Sequence, residues 1–494
     1  MPASLTPCPQ FDQNVDQPLR VLAEQARSVL GTTANGTRRL VRLCVPLDEP
    51  VDPISWMQAQ DADEQLYWAP RTAAPGTTDD REASPAPTEG AVVAAVGRAD
   101  VLEGQGHPVD YGTLQRRLQE RFRHADAGQR YFGGLRFDAP DPRPPRQPDA
   151  AWQSFGTYRF VLPRFEILEY NPQQVLACNV VLPRDADRSA ELLASIRALA
   201  LPSASSTGPL PGPVRRADRP DRDGWTAMVR WALTAIAAGR LDKVVFARKV
   251  ALGLDRHVDP LRVLSHLKAT TPGCFHFAFG PPAGPTFVGA SPERLVRRDG
   301  QAVLSEAVAG TRGRGDTPAA DAALREELLT SSKERREHAF VQRAIQQALE
   351  PHCTALDGAD TPSDLALARG RHLHAPIRGT LRPDTDTTDL LDALHPTPAV
   401  GGVPADAALA AIREQEPFDR GWYAGPVGWI APDAADFAVA IRSGLLAPTT
   451  LSLFSGAGIV EGSAPDREWA EIEQKIGDFA AVLGLLDPQD EAQP

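Results

Sequence analysis

The strongest constraint on what this chain can fold into is where its prolines fall. It has 46 in 494 residues, about 9% where ~5% is usual. Proline offers no backbone N–H and fixes φ, so it ends helices and is kept out of central strands. Its clusters therefore mark connections. PRTAAPGTTDDREASPAPTEG (70–90), APDPRPPRQPDA (139–150) and PSASSTGPLPGPVRRADRPDRDG (202–224) are poor in apolar residues and rich in turn formers, so each reads as a loop or linker. The third divides the chain into an N-terminal part (1–201), a Pro-rich linker or surface loop (202–224) and a C-terminal region (225–488). No internal repeat is apparent.

Between these connections the patterns alternate. In the N-terminal part RRLVRLCVPL, AVVAAVG, TYRFVLPRFEILEY and VLACNVVLP have strand composition. YGTLQRRLQERFRHA reads as a helix with Leu114, Leu118 and Phe122 four apart. In the C-terminal region WTAMVRWALTAIAAGR carries a stripe of Trp225, Val229, Leu233 and Ile236, and Gly239 is a plausible stop. KVVFARKVAL (243–252) reads as a strand, and TFVGASPERLVRR with QAVLSEAVAG as a hairpin around Asp299-Gly300. One long helix is expected over AALREELLTSSKERREHAFVQRAIQQALE, then two late strands, GPVGWIAP and DFAVAIRSGLLA. A last helix, DREWAEIEQKIGDFAAVLGLL, follows. Strands and helices interspersed in this way suggest an α+β fold rather than a doubly wound sheet.

Composition removes several classes of function. Sixty-four acidic against 52 basic residues leave a formal charge of −12, so no domain-wide basic field exists to hold a phosphate backbone and no nucleic-acid partner is expected. The five cysteines, Cys8, Cys44, Cys178, Cys274 and Cys353, form no CxxC pair, which argues against a disulfide framework and a structural zinc. The N-terminus has neither a basic start nor an apolar stretch, and no apolar run reaches the ~18 residues of a membrane span. A cytoplasmic protein is expected.

Two helices hold the chemistry-bearing anomaly. On the long one, Val341, Ile345 and Leu349 set an inward stripe, and stepping back by four and three reaches Glu337 and Glu334. Carboxylates on a buried face need a cation, although KERRE is also an ordinary charged solvent face. On the last helix Glu468, Glu471 and Lys475 share a face beside Trp469, Ile472, Ile476 and Leu483. Facing E-x-x-E helices make an oxygen-rich site of the kind that suits Mg²⁺; surface pairs such as Glu471–Lys475 explain the pattern equally well. Arg442 is expected on a strand face with Ala438 and Ala440, where a guanidinium can hold a carboxylate. SGAG (455–458) offers backbone N–H groups to an anion, and a simple tight turn is the plainer reading. Lys243 at a strand start and Glu293 beside Arg294 are unremarkable alone.

Taken together, these segments resemble the chorismate-utilising enzymes, and within them the isochorismate synthases. The matching blocks are LDKVVFARKV, FVGASPERLV, EAVAGTRGRG, KERREH, the histidine of RHLHAPIRG, LHPTPAVGGVP, EPFDRGWYAGPVGW, FAVAIRS, SGAGIVEGSAPDREWAE and Lys475. They hold their order over roughly 225–488. WMQAQDADEQLYWAPR, RYFGGLRFD and WQSFGTYRFVLPRFEI in the N-terminal part are similar to the menaquinone-pathway members.

The resemblance implies two large packed antiparallel sheets with surrounding helices. It also implies roles. Glu337 and Glu471 fall at the direct Mg²⁺ ligands, Glu334 and Glu468 at supporting carboxylates, Lys243 at the general base and Glu293 at the general acid. Arg442, Lys475 and the Gly456, Ala457 and Gly458 backbone fall at positions that bind the substrate's carboxylates, and His372 and Tyr423 line the pocket. The reaction so implied adds water at C2 of chorismate while the C4 hydroxyl leaves. Water needs a base, which a lysine is only with a lowered pKa; hydroxide needs an acid, which a glutamic acid is in an apolar site.

Branches of the family separate at two positions. Aminodeoxychorismate synthases commonly keep a nucleophilic lysine where this chain has Ala309. Anthranilate and salicylate synthases usually carry threonine where it has Ala399. Both alanines, with Lys243, favour water as nucleophile and isochorismate as the released product, an isomerase reaction that supplies menaquinone. A salicylate synthase, an isochorismate supply for a siderophore and a binding-only relative are the alternatives. Ala375, Arg378 and Ser455 depart from common family residues without removing a proposed catalytic group. A monomer with chorismate as its small-molecule partner is the working expectation.

Overall fold

The computed structural model describes residues 18–31, 37–71, 91–105, 109–138, 149–170, 173–202, 210–359, 361–368 and 370–483. Cys8, the N-terminal seventeen residues and nearly all of the proline-rich stretches 70–90 and 139–150 lie outside them. The first part of the chain runs α1 (Pro18–Leu30), β1 (Arg39–Leu47), α2 (Pro53–Gln58), β2 (Gln65–Ala69), β3 (Val92–Gly104), α3 (Tyr111–Phe122), β4 (Tyr131–Leu135), β5 (Tyr158–Glu169), β6 (Gln174–Leu182), α4 (Arg184–Asp187) and α5 (Ser189–Ala198). Next come β7 (Pro213–Arg219), α6 (Arg222–Ala237), β8 (Lys243–Leu254), α7 (Pro260–Thr270), β9 (Phe275–Gly280), β10 (Thr286–Ser291), β11 (Arg294–Asp299) and β12 (Ala302–Gly313). Then follow α8 (Pro318–Thr330), α9 (Ser332–Leu349), β13 (Cys353–Gly358), β14 (Ser363–Ala366), β15 (Gly370–Leu381), α10 (Thr387–Leu394) and β16 (Gly402–Val403). The chain closes with α11 (Ala405–Gln415), β17 (Pro426–Ile430), β18 (Ala434–Val439), β19 (Ser443–Ala447), β20 (Thr450–Ile459) and α12 (Pro465–Val482).

The fold is α+β, and the strand pairs are antiparallel throughout. One arm runs β1-β6-β5-β3-β2-β9-β10-β19-β20-β8, with β7 and β16 both against β8. The other runs β5-β4-β17-β18-β11-β12-β15, with β13 and β14 against β15. Strand β5 belongs to both, because Tyr158–Val161 pair with β4 and Phe165–Glu169 with β6.

A second link is more consequential. Residues 286–299 and 434–447 lie antiparallel as one two-stranded ribbon. It begins as β10 and β19 in the first arm and ends as β11 and β18 in the second. TFVGASPERLVRR is thus two strands in two sheets rather than one arm of a hairpin; Pro292, which has no N–H to give a ladder, sits at the break. The β11–β12 turn is Gly300–Gln301, one residue later than expected, since Asp299 pairs with Ala302. Gly300 has φ +58°, as the first position of such turns requires.

One continuous apolar core takes residues from both arms. At its centre Trp152 packs on Phe155, Phe287 and Phe454, and Trp422 packs on Phe155 and Phe279, with ring centroids 5.0–5.9 Å apart. Gly421 makes room for this, because a Cβ there would meet the Trp152 indole at 2.0 Å. Cys44, Cys178, Cys274 and Cys353 are buried.

Other expectations are corrected. The 202–224 stretch is not all loop: β7 pairs with β8, and α6 starts at Arg222 with Asp221 as its N-cap. On α6, Trp225, Met228, Val229, Ala232 and Ala235 are buried whereas Leu233 and Ile236 are half-buried. Gly239, at φ +68°, does end it. The expected single long helix is two. Ser331 is extended (φ −63°, ψ 114°), and its hydroxyl accepts the Glu334 N–H at 3.4 Å, starting α9 afresh. Ser331→Ala should therefore cost about 1 kcal/mol, with Ser331→Asp recovering it. Equal chemical-denaturation midpoints for wild type and Ser331→Ala would contradict this cap.

Candidate active site

The ribbon's crossing point carries Glu293 on one strand and Arg442 on the other. The Val439 N–H donates to the Glu293 carbonyl at 3.0 Å, the Ala290 N–H to the Arg442 carbonyl at 3.0 Å, and the Ser291 hydroxyl to the Val439 carbonyl at 2.6 Å. Arg442 is therefore not on a strand face with Ala438 and Ala440. It follows the end of β18 and sits at φ +50°, a left-handed conformation that is costly for a non-glycine residue and concentrates at functional sites. Ala424, whose N–H donates to the Ala440 carbonyl at 3.0 Å, is also left-handed, at φ +62°.

Glu293 is 6% exposed. Burial pushes its carboxyl up to about 8, with Lys243 opposing and Glu306 reinforcing the shift, so it holds its proton at neutral pH. Arg294 beside it is no surface residue. Its guanidinium is buried and donates to Glu306 at 2.8 Å and to Asp436 at 3.1 Å.

Lys243 opens β8 and is 8% exposed. Its Nζ donates to the Glu337 Oε1 at 3.2 Å. Two glycines of β20 shape this neighbourhood. SGAG is strand rather than turn, with Gly456, Ala457 and Gly458 opposite Ala247, Phe246 and Val245. A Cβ on Gly458 would lie 2.8 Å from the Lys243 Cε, and one on Gly456 would lie 3.4 Å from the Tyr423 hydroxyl. Glycine in a strand here marks close approach. Tyr423 stacks on Phe454 at 5.2 Å and is pushed up to about 12 by burial.

On α12 the Lys475 Nζ donates to Glu471 at 2.6 Å and to the Gly456 carbonyl at 3.1 Å, and the Arg442 guanidinium reaches the Lys475 carbonyl at 3.4 Å. His372, on β15, has its Nδ1 3.0 Å from the Thr311 hydroxyl and 3.2 Å from the Gly310 carbonyl. Burial, with Arg442 next, pulls this imidazole down to about 4, so it is neutral. The structure thus groups Lys243 with Glu337 and Gly458, and Lys475 with Glu471, Arg442 and Gly456, on which Tyr423 closes. Glu293 lies within the field of Lys243, and His372 within that of Arg442 and Lys475. The Gly401 carbonyl, two residues past Ala399, accepts the Val245 N–H at 2.8 Å, and no hydrogen bond joins Ala399 itself to these groups among the described residues.

The buried face of α9 is Glu334, His338, Val341, Ile345 and Leu349, with Glu337 at its margin. Glu334 pairs with Arg312 at 2.9 Å and packs on the Gly310 bulge of β12. His338, missed in the sequence, has its Nε2 3.0 Å from the Ala307 carbonyl. Glu468 is pushed up by burial and by Glu471, and feels Lys333 of α9, so the starts of α9 and α12 are near neighbours. The donors are hard oxygens, which fit Mg²⁺, and the mutual repulsion of Glu468 and Glu471 is what a divalent ion relieves. As placed, Glu334, Glu337 and Glu471 are each turned onto a basic side chain, and among the described residues no three metal-binding groups converge.

Comparison with known proteins decides the family. The chorismate binding enzyme family matches residues 24–484. The chain belongs to the chorismate-binding enzymes. It is 32% identical to the chloroplastic isochorismate synthase of Catharanthus roseus, over 94% of this chain and 85% of that one. It is 38% identical to the salicylate biosynthesis isochorismate synthase of Pseudomonas aeruginosa, over 73% and 76%. Among solved structures, the menaquinone-specific isochorismate synthase MenF of Escherichia coli superposes with a TM-score of 0.79 at 28% identity. That match covers 94% of this chain and all of the other.

For this chorismate-binding enzyme the buried acid has a stability consequence. Between the ordinary glutamate value near 4.5 and about 8 the native chain keeps a proton that the unfolded chain has released. Stability contributed by Glu293 is full below the lower value and is lost as pH rises through that window. Glutamine has no such proton. The melting temperature of Glu293→Gln relative to wild type should rise across this window and level off above it. A difference that does not change with pH would contradict a buried neutral carboxyl.

Proposed function

We propose that the protein is an isochorismate synthase, an isomerase that converts chorismate to isochorismate for menaquinone supply. The observation that carries this reading is a buried carboxyl that holds its proton at neutral pH within the field of a buried lysine. An acid and a base at one apolar site are what replacing one hydroxyl by another requires.

In this reading Lys243 takes a proton from the water that attacks C2, and the Glu293 carboxyl gives its proton to the departing C4 hydroxyl. The proton count balances: water loses one, and the leaving hydroxide gains one. Arg442 and Lys475 hold the substrate's carboxylates, helped by the backbone of Gly456, Ala457 and Gly458. Neutral His372 and Tyr423 line the pocket without adding charge. Glu337 and Glu471, supported by Glu334 and Glu468, would hold Mg²⁺, which when bound neutralises the ring carboxylate. The basic groups that these glutamates now occupy are then free to meet the substrate.

Ala309 and Ala399 leave water as the nucleophile and favour release of isochorismate. The menaquinone-specific neighbour, matched over its whole length, supports that pathway; the Pseudomonas aeruginosa relative, an isochorismate synthase named for salicylate biosynthesis, supports isochorismate supply to another pathway as the second reading. No helix of the described residues is long and apolar enough to cross a membrane, and a cytoplasmic monomer acting on free chorismate accords with the reading.

Chromatography of the products from chorismate, with and without Mg²⁺ and ammonium, tests it. An Mg²⁺-dependent isochorismate peak without salicylate or anthranilate is expected; salicylate with pyruvate would overturn the product assignment. Lys243→Ala and Glu293→Gln should each lower turnover by at least ~100-fold, and a near-wild-type rate in either removes that residue from the mechanism. Glu471→Gln should mainly weaken the Mg²⁺ dependence, so an unchanged Mg²⁺ titration would remove it as a ligand.

A further inference from the structure

Every backbone group around Glu293 is pinned. Its N–H donates to the Ser291 hydroxyl at 3.2 Å and its carbonyl accepts from Val439 at 3.0 Å. The remaining group is the Pro292 carbonyl, the other end of the peptide that carries the Glu293 N–H. It accepts from Arg71 at 2.9 Å. Arg71 comes from the far part of the sequence, two residues past the end of β2, whose Ala69 pairs with His276.

The arginine is itself held. Its side chain is 6% exposed, its second guanidinium nitrogen donates to the Glu306 Oε1 at 2.7 Å, and it lies over the Phe275 ring at 5.9 Å. Arg294 shares both partners, at 2.8 Å from Glu306 and 5.1 Å over Phe275. Although burial alone would raise it, the Arg71 and Arg294 guanidinium groups hold the Glu306 carboxyl well below the usual carboxylate range. Glu306 is thus a fixed anion, and Arg71 spans from it to the peptide before the acid.

We propose that Arg71 is a positioning residue for the general acid, holding the Pro292–Glu293 peptide against the buried Glu306 so that the Glu293 carboxyl is fixed over the substrate. This rests on the isochorismate synthase reading and assigns the N-terminal part a share in the chemistry. The planar fork of arginine makes two divergent hydrogen bonds from one buried cation. Lysine keeps the charge beside Glu306 but cannot span both acceptors in that fixed geometry. A small misplacement of a catalytic group costs rate rather than binding.

The test is steady-state kinetics on chorismate for wild type, Arg71→Met and Arg71→Lys, with thermal melting of each. We expect kcat to fall on the order of 10- to 100-fold in both variants, less in Arg71→Lys, with KM unchanged and the fold retained. If Arg71→Met does not fold, Arg71→Lys decides: a lower kcat at constant KM supports the proposal. A wild-type kcat in either folded variant, a change confined to KM, or unfolding of both variants would overturn it. Failure of wild type to turn over chorismate is a separate outcome that strikes the functional reading itself.

Discussion

The structure depends on one constraint, the exchange of a two-stranded ribbon between sheets. Strands β10 and β19 pair in one arm and continue as β11 and β18 in the other. At the crossover both strands leave regular geometry, and their backbone groups must find partners away from the ladders. They find them mostly in each other, through Val439 with Glu293, Ala290 with Arg442 and Ser291 with Val439. Glu293 therefore sits where the sheets meet and not on an open face, and its carboxyl is kept neutral by burial. The left-handed Arg442 is the other half of the same junction. One device places an acid and a cation at the same junction without a flexible loop.

Around that junction the charges are local. A chain of net charge −12 has no global field to draw in an anionic substrate, so the attraction must come from nearby cations, less screened in a partly buried site. Lys243 and Lys475 are engaged by Glu337 and Glu471 at 3.2 and 2.6 Å. The same side chains thus satisfy each other here and are the ones assigned to a divalent ion and to substrate carboxylates. Glycines at 456 and 458 supply the room, since a Cβ at 458 would crowd Lys243 and one at 456 would press on the Phe246 carbonyl at 3.1 Å and reach the Tyr423 hydroxyl.

Much of this was legible from residue patterns. The 3.6-residue period located α3, α6 and α12, and it marked Glu334 on the buried face of α9. What escaped was whatever depends on contacts distant in sequence. No periodicity says that FVGAS and RLVRR belong to different sheets, although Pro292 between them was a local hint. The Ser331-x-x-Glu334 spacing is likewise a helix-start signal in the sequence, set within a run of helix formers. SGAG looked like a turn because its glycines serve neighbours that only the fold supplies. Arg71 closes the WMQAQDADEQLYWAPR block, but no residue pattern gives it a role: it lies beside a proline-rich segment and gains meaning only where β2 meets β9.

The central claim is that the sheet crossover makes Glu293 a neutral acid at working pH. Its most direct test is a carbon-13 titration of the glutamate side-chain carboxyls, with the Glu293 signal assigned by its absence in Glu293→Gln. The account predicts a midpoint near 8 for that carboxyl. A midpoint near the ordinary glutamate value of 4.5 would contradict it and would leave the site without its acid.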